Sequence, residues 1–165
     1  MVTTRRAQIG DIPGIRSVLA VTWRDTYSSF LSESFIERVS TGWHAPKVLE
    51  DELSRLSTFL GVAERSSHEI IGIITAHLHE DLLWIARLYV LPGFQRQGIG
   101  KQLIEASYRA FPQARQARLE VEEQNAKGRS FYRSVGFREV DVKTDEFAGT
   151  KVNSVVLDRR IDKAA

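Results

Sequence analysis

The chain has 165 residues, of which 42% are hydrophobic and 27% charged, a composition typical of one globular domain with a buried core. It contains no cysteine, which excludes disulfides, thiolate metal sites and a cysteine nucleophile and is consistent with a cytoplasmic protein. The net charge of +2 is too small to indicate a nucleic-acid partner. No run of about 18 apolar residues predicts a membrane span.

The first third of the chain is predicted to be mostly helical, after a short strand over Arg5–Gln8. Asp11 is a candidate N-cap, and Pro13 lies in the first turn of the helix that follows. Ser32 is predicted to begin a second helix, and a third follows Pro46. The apolar residues of the first helix recur at helical spacing: Ile12, Ile15, Val18, Leu19 and Trp23.

From Thr58 the pattern changes to runs rich in β-branched residues. The runs Thr58–Arg65 and Ile70–His79 predict an antiparallel hairpin. Helices are predicted from Gly98 to Pro112 and from Asn125 to Gly136. Further strands are predicted at Leu82–Leu91, Ala117–Val121, Arg138–Phe147 and Lys151–Ile161, the last two joined by a turn at Ala148–Thr150. This order predicts a mixed α/β (α+β) domain.

A loop with two glycines precedes the helix that is predicted from Gly98. Glycine lets the backbone approach a ligand closely, and the first amides of a helix attract anions. Arg96 and Lys101 add positive charge, so the segment predicts a pyrophosphate site. The two common nucleotide motifs fail on spacing, because Ile99 stands where a P-loop needs lysine and Leu103 where a dinucleotide motif needs glycine.

Two motifs resemble those of the GNAT superfamily of N-acetyltransferases. Gln95–Gly100 is similar to the superfamily signature Q/R-x-x-G-x-G/A, and Leu88–Pro92 is similar to its L-Y-V-x-P lead-in. Asn125–Phe137 resembles N-x-x-A-x-x-F-Y-x-x-x-G-F, with Gly128 in place of the usual alanine. Similarity at Trp23–Tyr27 extends the resemblance over nearly the whole chain.

The resemblance implies a GNAT-like fold, with a mixed, mostly antiparallel central sheet, a splayed parallel strand pair and helices on both faces. It implies one acetyltransferase domain over residues 1–165. The implied activity is an acetyl-CoA-dependent N-acetyltransferase that transfers acetyl directly to a primary amine, without a metal. The acceptor is expected to be a small-molecule amine of a metabolite, with no nucleic-acid or membrane partner, and a homodimer is left open.

In the family, the pantetheine arm of acetyl-CoA lies between the splayed strands, which correspond here to Leu88–Val90 and Leu119–Val121. The resemblance implies that backbone groups of the first strand bind the pantetheine and the thioester carbonyl. Amides of the glycine loop are expected to hold the pyrophosphate. The implied cofactor-binding residues are Leu88, Val90, Gln95, Arg96, Gln97, Gly98, Ile99, Gly100, Lys101, Asn125 and Arg129.

Tyr132 is the catalytic residue that the resemblance implies. Its phenol, with an ordinary pKa of about 10, could give a proton or a hydrogen bond to the departing CoA thiolate. The alternative is that Phe131 and Tyr132 only pack the helix against the sheet. Asn125 is expected to cap the helix and to bind pantetheine, whereas Arg129 either meets a CoA phosphate or is a solvated surface residue.

The acceptor end is less well defined by the sequence. The family places its N-terminal helices over this end, so Trp23, Tyr27 and Trp43 are expected walls, unless Trp23 only fills the core. Arg87 either binds a substrate carboxylate or forms a cross-strand salt bridge. Many relatives carry a general base on the strand before the glycine loop, but Leu82–Leu91 has no carboxylate. The alternatives are a water relay, Asp81, His77, His79 and Glu120.

Three other functions stay open at this point. One is a non-catalytic CoA- or acyl-CoA-binding sensor module, which the missing strand carboxylate favours and Tyr132 disfavours. A protein or peptide N-acetyltransferase is the second, and a nucleotide-binding protein, disfavoured by the motif spacing, is the third. No metal site is expected, because His77 and His79 lack a third ligand at recognisable spacing.

Overall fold

The computed structural model describes residues 1–147 and 149–162, in which seven strands and five α-helices are found. The strands are β1 (Val2–Arg6), β2 (Thr58–Arg65), β3 (Ile70–His79), β4 (Leu82–Val90), β5 (Gln116–Glu122), β6 (Arg138–Phe147) and β7 (Thr150–Arg160). The helices are α1 (Ile12–Tyr27), α2 (Glu33–Thr41), α3 (Pro46–Ser54), α4 (Ile99–Ala110) and α5 (Ala126–Ser134).

All seven strands form one sheet, in the order β1-β2-β3-β4-β5-β7-β6. Its neighbouring strands are antiparallel except for β4 and β5, which run parallel. The parallel pairing joins Leu82–Trp84 to Gln116–Arg118 and extends no further within the described residues. The predicted mixed sheet with a splayed parallel pair is confirmed.

Helices cover both faces of the sheet. On one face, α1, α2 and α3 bury a cluster that includes Leu19 of α1 and Leu60 of β2. On the other face, Leu103 and Ile104 of α4 pack in a second cluster with Phe59 of β2. Successive residues of β2 therefore enter opposite cores, as the two-residue repeat of a strand requires.

The N-terminal segment differs from its prediction. β1 spans Val2–Arg6 instead of Arg5–Gln8, because its pairing with β2 already begins at Val2, and a 3₁₀ turn starts at Ile9. Asp11 does not cap α1 through its side chain. Its carboxylate instead accepts hydrogen bonds from the Gln8 amide and from Arg5 Nη1, both at 2.7 Å.

Two other predicted caps are confirmed. Ser32 Oγ accepts from the Phe35 amide at 3.2 Å and begins α2, and Asn125 caps α5. The last strand begins at Thr150 and ends at Arg160, one residue earlier at each end than predicted. In the turn before it, Gly149 has φ +80°, and Ala148 lies outside the described residues.

No helix in residues 1–147 and 149–162 is long and apolar enough to cross a membrane. In the same residues, no three histidine, aspartate or glutamate side chains are grouped so that they could hold a metal ion.

Candidate active site

A cleft of about 1770 Å³ opens where β4 and β5 separate. The two strands diverge because their pairing ends at Trp84 and Arg118. The walls are completed by α1, by the start of α4, by α5 and by the β6–β7 pair. Both cores of the molecule therefore border this one opening.

Backbone groups of β4 point into the gap between the strands. The Leu91 amide donates to the Ile71 carbonyl of β3 at 2.9 Å. Because backbone groups alternate in direction along an antiparallel strand, the N–H and C=O groups of Leu88 and Val90 face away from β3 and toward β5. These are the residues whose backbone was expected to bind pantetheine.

Gln95 fixes the end of this strand. Its Nε2 donates to the Val90 carbonyl at 2.9 Å, which leaves the Val90 amide and both groups of Leu88 for a ligand. Gln97 was also expected in the cofactor site, but its exposed side chain is not part of the cleft wall. Its Nε2 instead reaches the Gly93 carbonyl at 3.4 Å.

The start of α4 presents its first amides at the cleft. Gly98 has φ +78°, a backbone conformation that favours glycine, and the first intrahelical bond runs from the Gln102 amide to the Gly98 carbonyl at 3.0 Å. The amides of Ile99–Lys101 therefore have no acceptor inside the helix. Together with the positive end of the helix dipole and the exposed Arg96, they form a cradle for a phosphate group.

Gly100 is required for a different reason than Gly98. A Cβ atom on Gly100 would lie 2.9 Å from Cζ of Phe131, so a side chain there would displace the ring that joins α5 to the start of α4. A Cβ atom on Gly98 would meet nothing within 4 Å. The first glycine thus serves the turn and the second serves the close approach of two helices.

Asn125 lines the cleft and caps α5. Its Oδ1 accepts from the Gly128 amide at 2.9 Å. A Cβ atom on residue 128 would lie 2.7 Å from Asn125 Nδ2, which accounts for glycine where the family motif usually has alanine. The cap uses only Oδ1, so it is compatible with the expected pantetheine contact through Nδ2.

The position of Arg129 does not support its predicted contact with a CoA phosphate. Its guanidinium donates to both carboxylate oxygens of Glu139, at 2.9 and 3.1 Å, and to the Glu123 carbonyl at 3.0 Å. It is not part of the cleft wall. The ion pair with Glu139 joins α5 to β6. Glu139 is ten residues from Arg129 and lies outside the motif, so the motif did not indicate this partner.

Tyr132 projects from α5 into the cleft wall. Its ring packs against Phe131 and Phe137, with centroid distances of 5.2 and 5.7 Å, so the packing role is real. Burial, and then the neighbouring Tyr89 and Glu122, raise the pKa of the phenol well above its ordinary value. Tyr132 is therefore a neutral hydrogen-bond donor at the place where the two strands separate.

Two polar residues in the cleft were not predicted, Tyr89 of β4 and Glu122 of β5. Tyr89 Oη lies 3.4 Å from Oη of Tyr27, the last residue of α1. Burial raises the pKa of the Glu122 carboxyl above its ordinary value, and Tyr27 counteracts this in part. The signal in the sequence was the alternation along β5, since Leu119 and Val121 enter the core and the residues between them face the opposite side.

Trp23 and Tyr27 of α1 line the cleft on the side of that helix. Their ring centroids are 4.4 Å apart, and His44 lies against Trp23 at 5.3 Å. Burial, followed by Arg87 and Arg16, lowers the pKa of His44 to about 3, so the imidazole is neutral at pH 7. Trp43 also lines the cleft and is half exposed.

Arg87 does not present a free charge to a substrate. Its Nη1 donates to both oxygens of Glu52 in α3, at 2.9 and 2.8 Å, and its Nη2 donates to the Trp43 carbonyl at 2.7 Å. Both charged side chains are about 90% buried. The predicted role as a carboxylate ligand is therefore not supported, and the salt bridge joins β4 to α3 instead of crossing between strands.

The general-base candidates named from the sequence are also poorly placed. Asp81 borders a separate shallow hollow, and His77 and His79 do not line the cleft. His77 Nδ1 lies 2.9 Å from Thr58 Oγ1. Glu120 does line the cleft, but its carboxylate accepts from Lys143 Nζ at 2.7 Å.

Charge is divided along the cleft. The walls formed by α4 and α5 carry Arg96, Lys101 and Lys127. The walls formed by α1, β5 and β6 carry acidic side chains: Asp25, Glu120, Glu122, Asp145 and Glu146. The arrangement suits an anionic ligand at one end and a cationic ligand at the other.

The profile of the acetyltransferase (GNAT) domain family matches residues 56–139, just over half of the chain. A spermidine N(1)-acetyltransferase of Thermoplasma acidophilum is 28% identical over 150 residues, which cover 87% of this chain and 92% of that protein. A probable N-acetyltransferase of Mycobacterium tuberculosis is 28% identical over 148 residues, covering 85% of this chain and 81% of that protein.

Solved structures share the fold. The PaiA N-acetyltransferase of Thermoplasma acidophilum, in complex with coenzyme A, has a TM-score of 0.82 at 24% identity and covers 98% of this chain and 99% of its own. The ribosomal-protein-S18-alanine N-acetyltransferase of Escherichia coli has a TM-score of 0.71 at 16% identity, with 100% and 97% covered.

Proposed function

This chain belongs to the GNAT acetyltransferase family, and we propose that it uses acetyl-CoA to acetylate a primary amine of a small, multiply charged cationic metabolite. The observation that carries this proposal is the division of charge along one cleft, basic where α4 and α5 meet and acidic beside α1, β5 and β6. The acetyltransferase activity follows from the family, and the choice of acceptor is the proposal.

The fit of acetyl-CoA is supported by two features of the cleft. The Gly98–Lys101 amides and Arg96 offer donors and positive charge to the pyrophosphate. The Val90 amide and both backbone groups of Leu88, which face the gap, offer donors and an acceptor to the amides of pantetheine. Acetyl-CoA supplies an activated acetyl group as a thioester.

Tyr132 is proposed to assist the departure of the thiol. Its phenol stays protonated because burial raises its pKa, so it can donate a hydrogen bond to sulfur as negative charge develops there. Its packing against Phe131 and Phe137 holds the ring in one orientation, which such a donor requires.

The acceptor end favours a cation over a zwitterion. Arg87, the one cation expected to bind a substrate carboxylate, is neutralised by Glu52. Asp25, Glu122 and Asp145 bring negative charge to the same walls, and Trp23 provides an aromatic face for a cation. The relative from Thermoplasma acidophilum that is named a spermidine N(1)-acetyltransferase supports the same choice.

The test is an acceptor panel assayed by release of CoA thiol from acetyl-CoA. Polyamines and diamines should be acetylated with kcat/KM values at least about tenfold above those of amino acids, because each unfavourable charge costs about 1 kcal/mol or more at this end. A zwitterionic amino acid or a peptide as the best acceptor would contradict the proposal. Binding of acetyl-CoA without amine-dependent release of thiol would favour the non-catalytic sensor module.

A further inference from the structure

Resting on the proposed function, we propose that Glu122 is the base that deprotonates the substrate ammonium group, and that Tyr27 and Tyr89 position its carboxylate. Glu122 is the last residue of β5, in the part of the strand that no longer pairs with β4. It lies opposite Ser154 of β7 in the sheet and lines the cleft.

The direction of the side chain follows from the alternation of β5. Leu119 and Val121 enter the core beneath α4, so Glu122 faces the side of the sheet that α1 covers. Tyr27 ends α1 on that side, and Tyr89 belongs to the cluster buried there. The carboxylate therefore lies in the acceptor half of the cleft, across the gap from the backbone of Leu88 and Val90.

Two hydroxyl groups lie near the carboxylate. Tyr89 Oη lies 3.4 Å from Tyr27 Oη. Tyr27 lies beside Glu122, and its phenol lowers the pKa of that carboxyl while burial raises it. Burial and the nearby Glu122 raise the pKa of both phenols, so Tyr27 and Tyr89 remain neutral donors. A carboxylate beside neutral phenols, with no cation paired to it, keeps lone pairs free to accept a proton.

The charged and titratable groups around Glu122 come from each neighbouring element. They are Tyr27 from α1, Tyr89 from β4, Glu120 from β5, Tyr132 from α5 and Asp145 from β6. Glu120 is paired with Lys143, and Tyr132 approaches from the face that holds the cofactor-binding elements. Glu122 is thus the half-buried carboxylate in this part of the cleft that forms no salt bridge among the described residues.

The step balances in atoms and charge. Glu122 takes one proton from the ammonium group, and the neutral nitrogen forms a bond to the acetyl carbon while the carbon–sulfur bond breaks. The second nitrogen proton is lost as the amide forms, and the CoA sulfur gains one proton. The proton on Glu122 then leaves to solvent, so one proton is released for each acetyl group transferred.

The test compares Glu122→Gln with the wild type, using spermidine as the acceptor over a range of pH. At pH 7 the variant should lose about 10²-fold or more in kcat, since a positioned base contributes about that much. The loss should shrink as pH rises toward the amine's own pKa, because solution then supplies the neutral amine. Acetyl-CoA should stabilise both proteins equally against heat, which shows that the variant is folded.

Tyr27→Phe tests whether the Tyr27 hydroxyl influences Glu122, because the variant keeps the aromatic ring and its packing. The Tyr27 phenol lowers the pKa of the Glu122 carboxyl, so its removal should raise that pKa and move the acidic limb of the kcat/KM profile to higher pH. Glu123→Gln is the matched control, because Glu123 directly follows the same strand, is exposed and does not line the cleft. It should keep the wild-type profile.

Three results would overturn the assignment of Glu122 while leaving the proposed function intact. They are a Glu122→Gln variant within about threefold of wild type at pH 7, a loss that is equal at every pH, and an acidic limb that disappears in Glu120→Gln instead. Failure of the wild type to acetylate spermidine or any other amine would overturn the proposed function itself.

Discussion

The surroundings of the Tyr132 phenol decide what it can do for a departing thiolate. Its pKa is raised because the ring is buried and because Tyr89 and Glu122 lie near it, so removing its proton is costly. A thiol has an ordinary pKa of about 8.5, well below that of this phenol. In the proposed reaction, Tyr132 therefore acts as a hydrogen-bond donor to sulfur while the carbon–sulfur bond breaks, because negative charge develops on sulfur only at that stage.

Tyr132→Phe should lower kcat about 10²-fold while the stabilisation of the protein by acetyl-CoA stays unchanged. The ring and its contacts with Phe131 and Phe137 are kept, so only the hydroxyl is tested. Tyr108→Phe is the matched control, because the Tyr108 hydroxyl is buried in α4, outside the cleft, and meets no partner in the described residues. Equal turnover by both variants would return Tyr132 to a packing role.

Residues whose roles depend on local geometry were predictable. Ser32 and Asn125 cap helices because their side chains reach amides three residues ahead, and the sequence alone contains that spacing. The roles of Arg87 and Arg129 were not predictable in this way. Their partners are 35 and 10 residues away, and only the packing of separate elements brings the charges together.

At the scale of elements, the Arg87–Glu52 pair holds α3 and the residue Trp43 against β4. Both side chains are about 90% buried, and Arg87 also donates to Thr75 Oγ1 at 3.2 Å. A buried pair of this kind is costly to break, because removing one partner leaves an uncompensated charge in a site of low polarity. Its position beside the acceptor end makes it a support for that wall of the cleft.

Arg87→Ala should therefore lower the free energy of unfolding by about 3–5 kcal/mol, measured by denaturant titration. Lys143→Ala removes a partner of Glu120 in a half-exposed pair and should cost less than about 1 kcal/mol. Replacing both partners, Arg87→Met with Glu52→Leu, should recover most of the loss. If Arg87→Ala is as stable as wild type and raises only the KM of the acceptor, Arg87 contacts the substrate after all.

The element order follows from sequence patterns because runs of alternating residues and glycine turns are local signals. The splayed strand pair was implied only by the resemblance to the GNAT superfamily. The boundary of β1 was wrong because pairing with β2, not composition, decides where that strand begins. Glu122 and Tyr89 were missed because each is unremarkable on its own strand. They become a site only when β4 and β5 separate beside the end of α1.

At the scale of the whole molecule, one opening joins two cores that the sheet otherwise keeps apart. The face under α4 and α5 offers amides and cations, and the face under α1 offers aromatic rings and carboxylates. The sheet separates them except where β4 and β5 diverge. An acetyl donor held on one side and an ammonium group held on the other can meet only in that gap, which keeps the reacting groups in a fixed relation.

The most direct measurement is the product stoichiometry for wild-type protein with acetyl-CoA and spermidine at pH 7. CoA thiol is followed by a colorimetric assay and N-acetylated amine by NMR of the same sample. The account predicts one acetylated primary amine for each thiol released, at a rate that falls when Tyr132 is replaced by phenylalanine. Thiol release without an acetylated amine, or acetylation unaffected by that replacement, would contradict it.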